Sequence, residues 1–144
     1  MATTTATITL SSADIADNAL SISNTATLYT AGTDTGITET TGLARVKTSS
    51  GSNTILLDFG LTSGVAQDVT ADKSAKVYIK NTGTATDKYG LIGIGDSSGT
   101  PIYIGRLYGG DWMVFPWDAN SGEDITLTMS DATETVIEYM VFFE

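Results

Sequence analysis

Apolar residues recur at every second position over short runs of this chain, which is the period of a β-strand and not of a helix. Residues 75–81 (AKVYIKN) alternate Val77 and Ile79 with lysines and a tyrosine, and residues 124–130 (DITLTMS) alternate three apolar residues with threonines. Stretches rich in Gly, Ser, Asn and Asp separate such runs, as expected of turns. The pattern predicts eight to ten strands and an all-β fold, an antiparallel β-sandwich of the jelly-roll kind.

Residues 101–117 (PIYIGRLYGGDWMVFPW) have the densest aromatic content. Gly109 and Gly110 can supply the positive φ that primed hairpin turns need, so the pattern predicts a β-hairpin in which Leu107 lies opposite Trp112. Alternation then divides the hairpin into two apolar faces. The predicted core face carries Ile102, Ile104, Met113, Phe115 and Trp117, and the opposite face carries Tyr103, Leu107, Trp112 and Val114.

The final run, residues 135–144 (TVIEYMVFFE), is apolar on both sides and has Glu138 as its one charged residue before the terminal glutamate. A strand of this kind must be central and covered on both faces, which a small sandwich achieves most easily with a partner chain or with its own arm. The sequence therefore predicts a homo-oligomer. The interface candidates are Tyr103, Leu107, Trp112, Val114, Val136, Met140 and Phe142.

Residues 1–36 are rich in Thr, Ala and Ser, and their apolar positions are sparse. Two alternating pieces, residues 8–10 and 20–22, predict short strands, but they bury too little to be stable by themselves. We expect an extended N-terminal arm, or edge strands laid on something else, with a partly disordered tail as the alternative. Residues 37–144 form the predicted sandwich domain.

Composition narrows the possible functions of the 144 residues, which suit one domain. The chain has 17 acidic and 7 basic residues and a formal net charge of −10, which disfavours nucleic acid and anionic membranes as partners. It has no Cys and no His, so it lacks the commonest general base and nearly all zinc chemistry. Because these residues are missing, we expect a protein that is not an enzyme and needs no cofactor. The pattern contains no secretory signal and no membrane span, so we also expect that the protein is not exported by that route.

Carboxylates are the remaining candidates for chemistry. Asp58 interrupts an apolar strand and is expected to point outward, and Asp111 stands at the predicted turn. Residues 118–124 place oxygen ligands at alternate positions, as in a calcium loop, but Gly122 stands where a ligand is needed, so a solvated turn is favoured over an incidental Ca²⁺ site. Exposed aromatics could also stack on sugars, although Trp112 and Trp117 fall on opposite faces of the predicted hairpin.

The chain from about residue 76 onward resembles the small β-sandwich proteins of tailed-bacteriophage virions. The resemblance rests on the segments IYIGRLYGGDW, MVFPWD, DITLTMS and EYMVFFE. Within them, a pattern of Leu, a turn of small residues, an acid, an aromatic and a Pro is carried by Leu107, Gly109, Gly110, Asp111, Trp112 and Pro116.

This resemblance implies a jelly-roll structural protein and supplies no catalytic residues. The implied protein is a capsid decoration or cement protein on the virion exterior, made in the host cytoplasm. It would bind as an oligomer, with a trimer favoured over a dimer, over junctions of the major capsid protein, and residues 1–36 would grip a neighbour. The alternatives are a tail, neck or fibre-base component of the virion and a glycan-binding β-sandwich module.

Overall fold

The structure, a computed structural model, describes residues 4–16, 18–29, 37, 39–49, 54–58, 67–68, 74–95, 100–118 and 124–143. In chain order the strands are β1 (Thr4–Ala16), β2 (Asn18–Leu28), β3 (Glu39–Thr40), β4 (Ala44–Thr48), β5 (Thr54–Asp58), β6 (Gln67–Asp68), β7 (Ser74–Asn81), β8 (Tyr89–Ile94), β9 (Ile102–Tyr108), β10 (Trp112–Asp118), β11 (Ile125–Met129) and β12 (Thr135–Phe143). No helix occurs in these described ranges, so the predicted all-β class is confirmed.

The chain divides into two compact units, Met1–Thr38 and Glu39–Glu144. The first unit contains an antiparallel ribbon of two strands, which we call the N-terminal ribbon. Its strands β1 and β2 pair from Thr4 opposite Leu28 to Ser12 opposite Leu20, with an irregularity before Ala16. These strands are longer than the short pieces that the sequence pattern predicts.

The second unit holds two five-stranded sheets. The front sheet has the order β10-β7-β12-β3, and β4 pairs with β12 on the same side as β3. The back sheet has the order β6-β5-β11-β8-β9. Strand β12 is central in the front sheet, as its apolar sequence on both sides requires.

Apolar side chains from both sheets form one core, so the two sheets pack as a sandwich. Alternation decides which residues enter it, because successive side chains of a strand point to opposite faces. The core residues of the front sheet are Val77, Ile79, Trp117, Ile137, Tyr139 and Val141, and those of the back sheet are Ile92, Leu107, Ile125, Leu127 and Met129.

The turn at Gly109 and Gly110 is present, but the predicted hairpin pairing across it is wrong. The Asp111 N–H donates to the Tyr108 carbonyl at 3.0 Å and closes the turn, yet β9 pairs with β8 whereas β10 pairs with β7. Only the second central residue, Gly110, has positive φ (90°). That geometry is typical of an unprimed turn, whose twist splays the flanking strands instead of pairing them. The turn therefore carries the chain from the back sheet to the front sheet.

The predicted core face is correct for β10 and wrong for β9. Trp117 is buried, and Met113 and Phe115 pack against the core. In β9, by contrast, Ile102 and Ile104 are 76% and 42% exposed. Ile102 pairs with Ile94 and is exposed at the start of β9, the edge strand of the back sheet. Gly105 pairs with Ile92 and Tyr103 pairs with the next residue, Gly93, so Ile104 is an extra, unpaired residue. Such a β-bulge reverses the alternation within the strand.

Candidate interface

Five of the seven interface candidates lie on the outer face of the front sheet, the face turned away from the core. In β12 the odd-numbered residues from Ile137 to Val141 are buried in the core, so Val136, Met140 and Phe142 project outward. In β10 the core takes the odd-numbered residues, which leaves Trp112 and Val114 on the outer face. We call this surface the interface face.

The strand register places these residues in neighbouring rows across the sheet. Val114 lies opposite Tyr78 of β7, which in turn lies opposite Met140 of β12. Residues directly opposite one another have Cβ atoms about 4.5–5.5 Å apart, so the three side chains form one continuous apolar row. Phe142 belongs to the adjacent row, opposite Lys76. Two segments that are distant in sequence thus build a single apolar surface.

The structure does not bring the other two candidates to this face. Leu107 is part of the core, because the bulge in β9 turns its side chain inward, so its assignment to an interface is wrong. Tyr103 lies in the back sheet opposite Gly93, where a Cβ added to the glycine would come within 3.3 Å of the tyrosine ring. Tyr103 is 45% exposed, on a surface separate from the interface face.

Basic residues lie in the rows on both sides of the Val114–Tyr78–Met140 row, Lys80 on one side and Lys76 on the other, although the chain as a whole is strongly acidic. The face carries four of the seven basic residues in the sequence: Arg45, Lys47, Lys76 and Lys80. Sequence reasoning missed this cluster, because two of its members lie about thirty residues from the others. The available signal was their alternation with the core residues of β4 and β7.

Ion pairs fix part of this cluster. The Arg45 guanidinium donates to Glu138 Oε1 from Nη2 at 2.6 Å and from Nε at 2.8 Å. Lys47 donates to Glu134 at 2.8 Å, and this hydrogen bond raises the pKa of the lysine and lowers that of the glutamate. Such exposed pairs contribute little to stability, so their effect is to set the charge pattern of the surface.

Tyr78, at the centre of the apolar row, is perturbed by the same surroundings. Burial under neighbouring side chains is the larger cause and the charge of Glu138 the smaller, and both raise the pKa of the phenol. The hydroxyl therefore remains neutral at any physiological pH. The interface face is thus an apolar row with a neutral phenol at its centre and with charged residues in the rows on either side.

Asp111 and Asp131 are engaged in local structure. Asp111 Oδ2 accepts the Tyr108 N–H at 2.9 Å, which is the turn role expected from the sequence. Asp131 accepts hydrogen bonds from Thr133 and Lys88, and those from Thr133 contribute most to lowering its pKa from 3.8 to about 2. In the part of the chain that the structure describes, no group of three or more His, Cys, Asp or Glu side chains could hold a metal ion.

Two earlier predictions about carboxylates fall on residues that the structure leaves out. Most of the calcium-like segment, residues 119–123, lies outside the described ranges, and so does the side chain of Asp58. The Arg106 guanidinium lies 4.6 Å from the centre of the Tyr89 ring, a cation–π contact. Trp112 is exposed and Trp117 is in the core, so they form no shared stacking platform.

Comparison of the chain with protein-family models and with curated proteins finds no match. The described residues contain no helix of the length and apolar character that a membrane crossing requires.

Proposed function

We propose that this chain is a structural protein of a bacteriophage virion, an oligomeric decoration or cement protein on the capsid exterior. In this proposal the interface face binds the major capsid protein, and each oligomer bridges several capsid subunits. The observation that carries the proposal is the convergence of Trp112, Val114, Val136, Met140 and Phe142 on one outer face.

The chemistry of the interface face favours a protein partner. Its apolar rows offer area to bury. A copy of such a protein needs only a modest contact, about 800 Å² on each side, because several linked copies bind together and their effects multiply. The face has no catalytic role in this proposal and requires no cofactor.

Trp112 offers the most direct test, because it is 51% exposed and its loss should not disturb the core. We expect Trp112→Ala to weaken binding to virions that lack the protein by about 10-fold or more, as large aromatic residues dominate such interfaces. Tyr103→Ala is the matched control, since Tyr103 is a comparably exposed aromatic on the back sheet. Equal losses for the two variants, measured by co-sedimentation, would show that the interface face is not the docking surface.

The location of the protein in the particle is a separate question. Immunogold labelling of virions should place the protein over the capsid. Labelling confined to the tail, neck or fibre base would replace the decoration proposal with the corresponding tail component.

A glycan-binding role has one observation in its favour, the exposed indole of Trp112. Sugars that stack on this ring would quench tryptophan fluorescence, and Trp112→Ala would abolish the quenching. We expect no quenching by oligosaccharides, because a single tryptophan at the edge of a sheet is not a platform.

A further inference from the structure

The N-terminal ribbon has two chemically opposite faces. In the register of β1 and β2, Ile8, Leu10, Leu20 and Ile22 fall on one face together with two alanines and Leu28, and the polar members of that face are Thr4, Ser12 and Asn24. The other face consists of hydroxyl residues from both strands: Thr5, Thr7, Thr9, Ser11, Ser21, Ser23, Thr25 and Thr27. The sparse pattern of this segment therefore becomes an amphipathic ribbon once the strands are paired.

The hydroxyl face is suited to water. The Thr7 and Thr25 hydroxyls are 2.8 Å apart and those of Thr9 and Ser23 are 3.4 Å apart, so cross-strand pairs satisfy each other. The apolar face has no comparable cover. Its four largest side chains, named above, are between 38% and 53% exposed.

A ribbon of this kind is not stable by itself. Two strands form one layer, and a single hairpin without a second layer is marginal at best in water. The backbone N–H and C=O groups on the outer edges of both strands add to the problem, because no charged residue or Pro protects them between positions 4 and 13 or between 20 and 28. A second layer must therefore come from something that fits a neutral apolar face.

The distribution of charge along the chain indicates that this second layer is another copy of the ribbon. The chain has a net charge of −10, so copies of it repel one another over most of their surface. Residues 4–13 and 20–28 carry no charge at all. These two ranges are therefore a place where two copies can meet without burying a charge, and Asp14, the one charged residue within the two strands, lies outside them.

The shape of the apolar face is also suited to a copy of itself. Leu10 pairs with Ile22 near the middle of the cluster, with Ile8 towards one end and Leu20 towards the other. A rotation by half a turn about the centre of the Leu10–Ile22 pair exchanges these two residues and brings Ile8 to the position of Leu20, so the apolar pattern is nearly unchanged. A self-complementary symmetric contact requires such a pattern. Two sheets packed in this way lie about 10 Å apart, the usual spacing of a sandwich.

We propose that the N-terminal ribbons of different copies pack apolar face to apolar face and hold the oligomer together. This inference rests on the proposed function, because it names the part of the chain that makes the oligomer. It differs from the interface face, which is assigned to the capsid. In a dimer and in a trimer alike, ribbons packed around one symmetry axis bring Leu10 of each copy next to the other copies.

Leu10→Glu and Thr9→Glu test the proposal as a matched pair, since they add the same charge at neighbouring positions on opposite faces. We expect Leu10→Glu to raise the dissociation constant of the oligomer by about 100-fold or more, because the interface would have to bury an unpaired charge. Thr9→Glu should leave the mass of the oligomer unchanged in size-exclusion chromatography with multi-angle light scattering. If both variants remain oligomeric, the ribbon is not the contact, although the proposed function stands. A monomeric wild-type chain would overturn both.

Cross-linking provides a second readout that does not depend on weakening the oligomer. The chain has no cysteine, so Leu10→Cys and Thr9→Cys each introduce a single reactive thiol. A short bis-maleimide should join copies of the Leu10→Cys variant and not copies of the Thr9→Cys variant. Equal cross-linking of both would mean that the ribbons meet edge to edge, and cross-linking of neither would mean that they do not meet.

Discussion

Asn81 joins the two sheets at the end of β7, and its replacement should destabilise the sandwich more than any surface change. The residue is 2% exposed. Its Nδ2 donates to the Leu107 carbonyl at 3.0 Å and its Oδ1 accepts the Gly83 N–H at 2.9 Å. Its backbone N–H and C=O bond to Asp111 and Gly110 at 3.0 Å each. One residue thus connects β7 of the front sheet with β9 of the back sheet, with the turn after β9 and with the loop after β7.

Asn81→Leu keeps the approximate volume of the side chain and removes both of its hydrogen bonds. The Leu107 carbonyl and the Gly83 amide then lose their partners, at about 1–3 kcal/mol for each buried group. We expect the free energy of unfolding to fall by about 3 kcal/mol, which corresponds to a Tm lower by roughly 10 °C in a chain of this size. Urea unfolding followed by tryptophan fluorescence measures the change.

Asn81→Asp separates the two hydrogen bonds. The new carboxyl can still accept the Gly83 N–H, but one oxygen replaces the donor that faces the Leu107 carbonyl. Burial beside a carbonyl raises the pKa of such a carboxyl above its unfolded value of about 4. The new carboxyl then stabilises the folded state at pH values below the unfolded pKa, where it is protonated. This stabilisation is lost as the pH rises through the folded pKa. The stability gap between the variant and the wild type should therefore be smaller at pH 3 than at pH 7.

Thr82→Ala is the control for both variants. The Thr82 hydroxyl also donates to a backbone carbonyl, that of Val136, at 2.7 Å, but the residue is exposed. Water can replace that bond, so the loss should stay below about 1 kcal/mol. If Asn81→Leu costs no more than Thr82→Ala, the side chain of Asn81 does not hold the sheets together and our reasoning is wrong.

Three further changes should alter stability in directions that the structure sets. Thr126 is fully buried, and its hydroxyl has no hydrogen-bond partner among the described residues. Thr126→Val should therefore raise the free energy of unfolding, measured in urea, by about 1 kcal/mol, and a decrease would show that the hydroxyl does have a partner. A Cβ at Gly109 would come within 2.6 Å of a loop carbonyl, so Gly109→Ala should lower the Tm while Gly105→Ala, which has open space, should not. Asp131, whose pKa is lowered to about 2, stabilises the fold above its ordinary value of 3.8 and less as the pH falls towards 2. The Tm difference between wild type and Asp131→Asn should therefore shrink over that interval, and a constant difference would contradict the assignment.

The sequence was sufficient to predict the parts of the fold that depend on alternation alone. In β10 and β12 the period of two runs without interruption, so the inward and outward residues, including Trp117 and Met140, follow directly from the pattern. The central position of β12 follows as well, because a strand that is apolar on both faces needs cover on both. Five interface candidates share one outer face, and their role in an interface stays a prediction.

The errors arose where one residue changes the geometry. The bulge at Ile104 reverses the alternation of β9, and nothing in the composition of IYIGRLY distinguishes a bulged strand from a regular one. The turn at Gly109 and Gly110 joins two sheets because only Gly110 has positive φ, and two adjacent glycines allow either kind of turn. The basic cluster depends on β4 pairing with β12, a long-range contact that no local pattern encodes.

The position of β12 in the front sheet also constrains when the protein can fold. Arg45 and Glu138, which pair across β4 and β12, are 93 residues apart. During synthesis β4 and β7 leave the ribosome long before β12, the strand that lies between them. The edges of β4 and β7 that pair with β12 stay unpaired until then. The front sheet is therefore complete only after residues 135–143 have emerged, so a chain truncated before them keeps the β7–β10 pair and lacks the strand that joins it to β3 and β4.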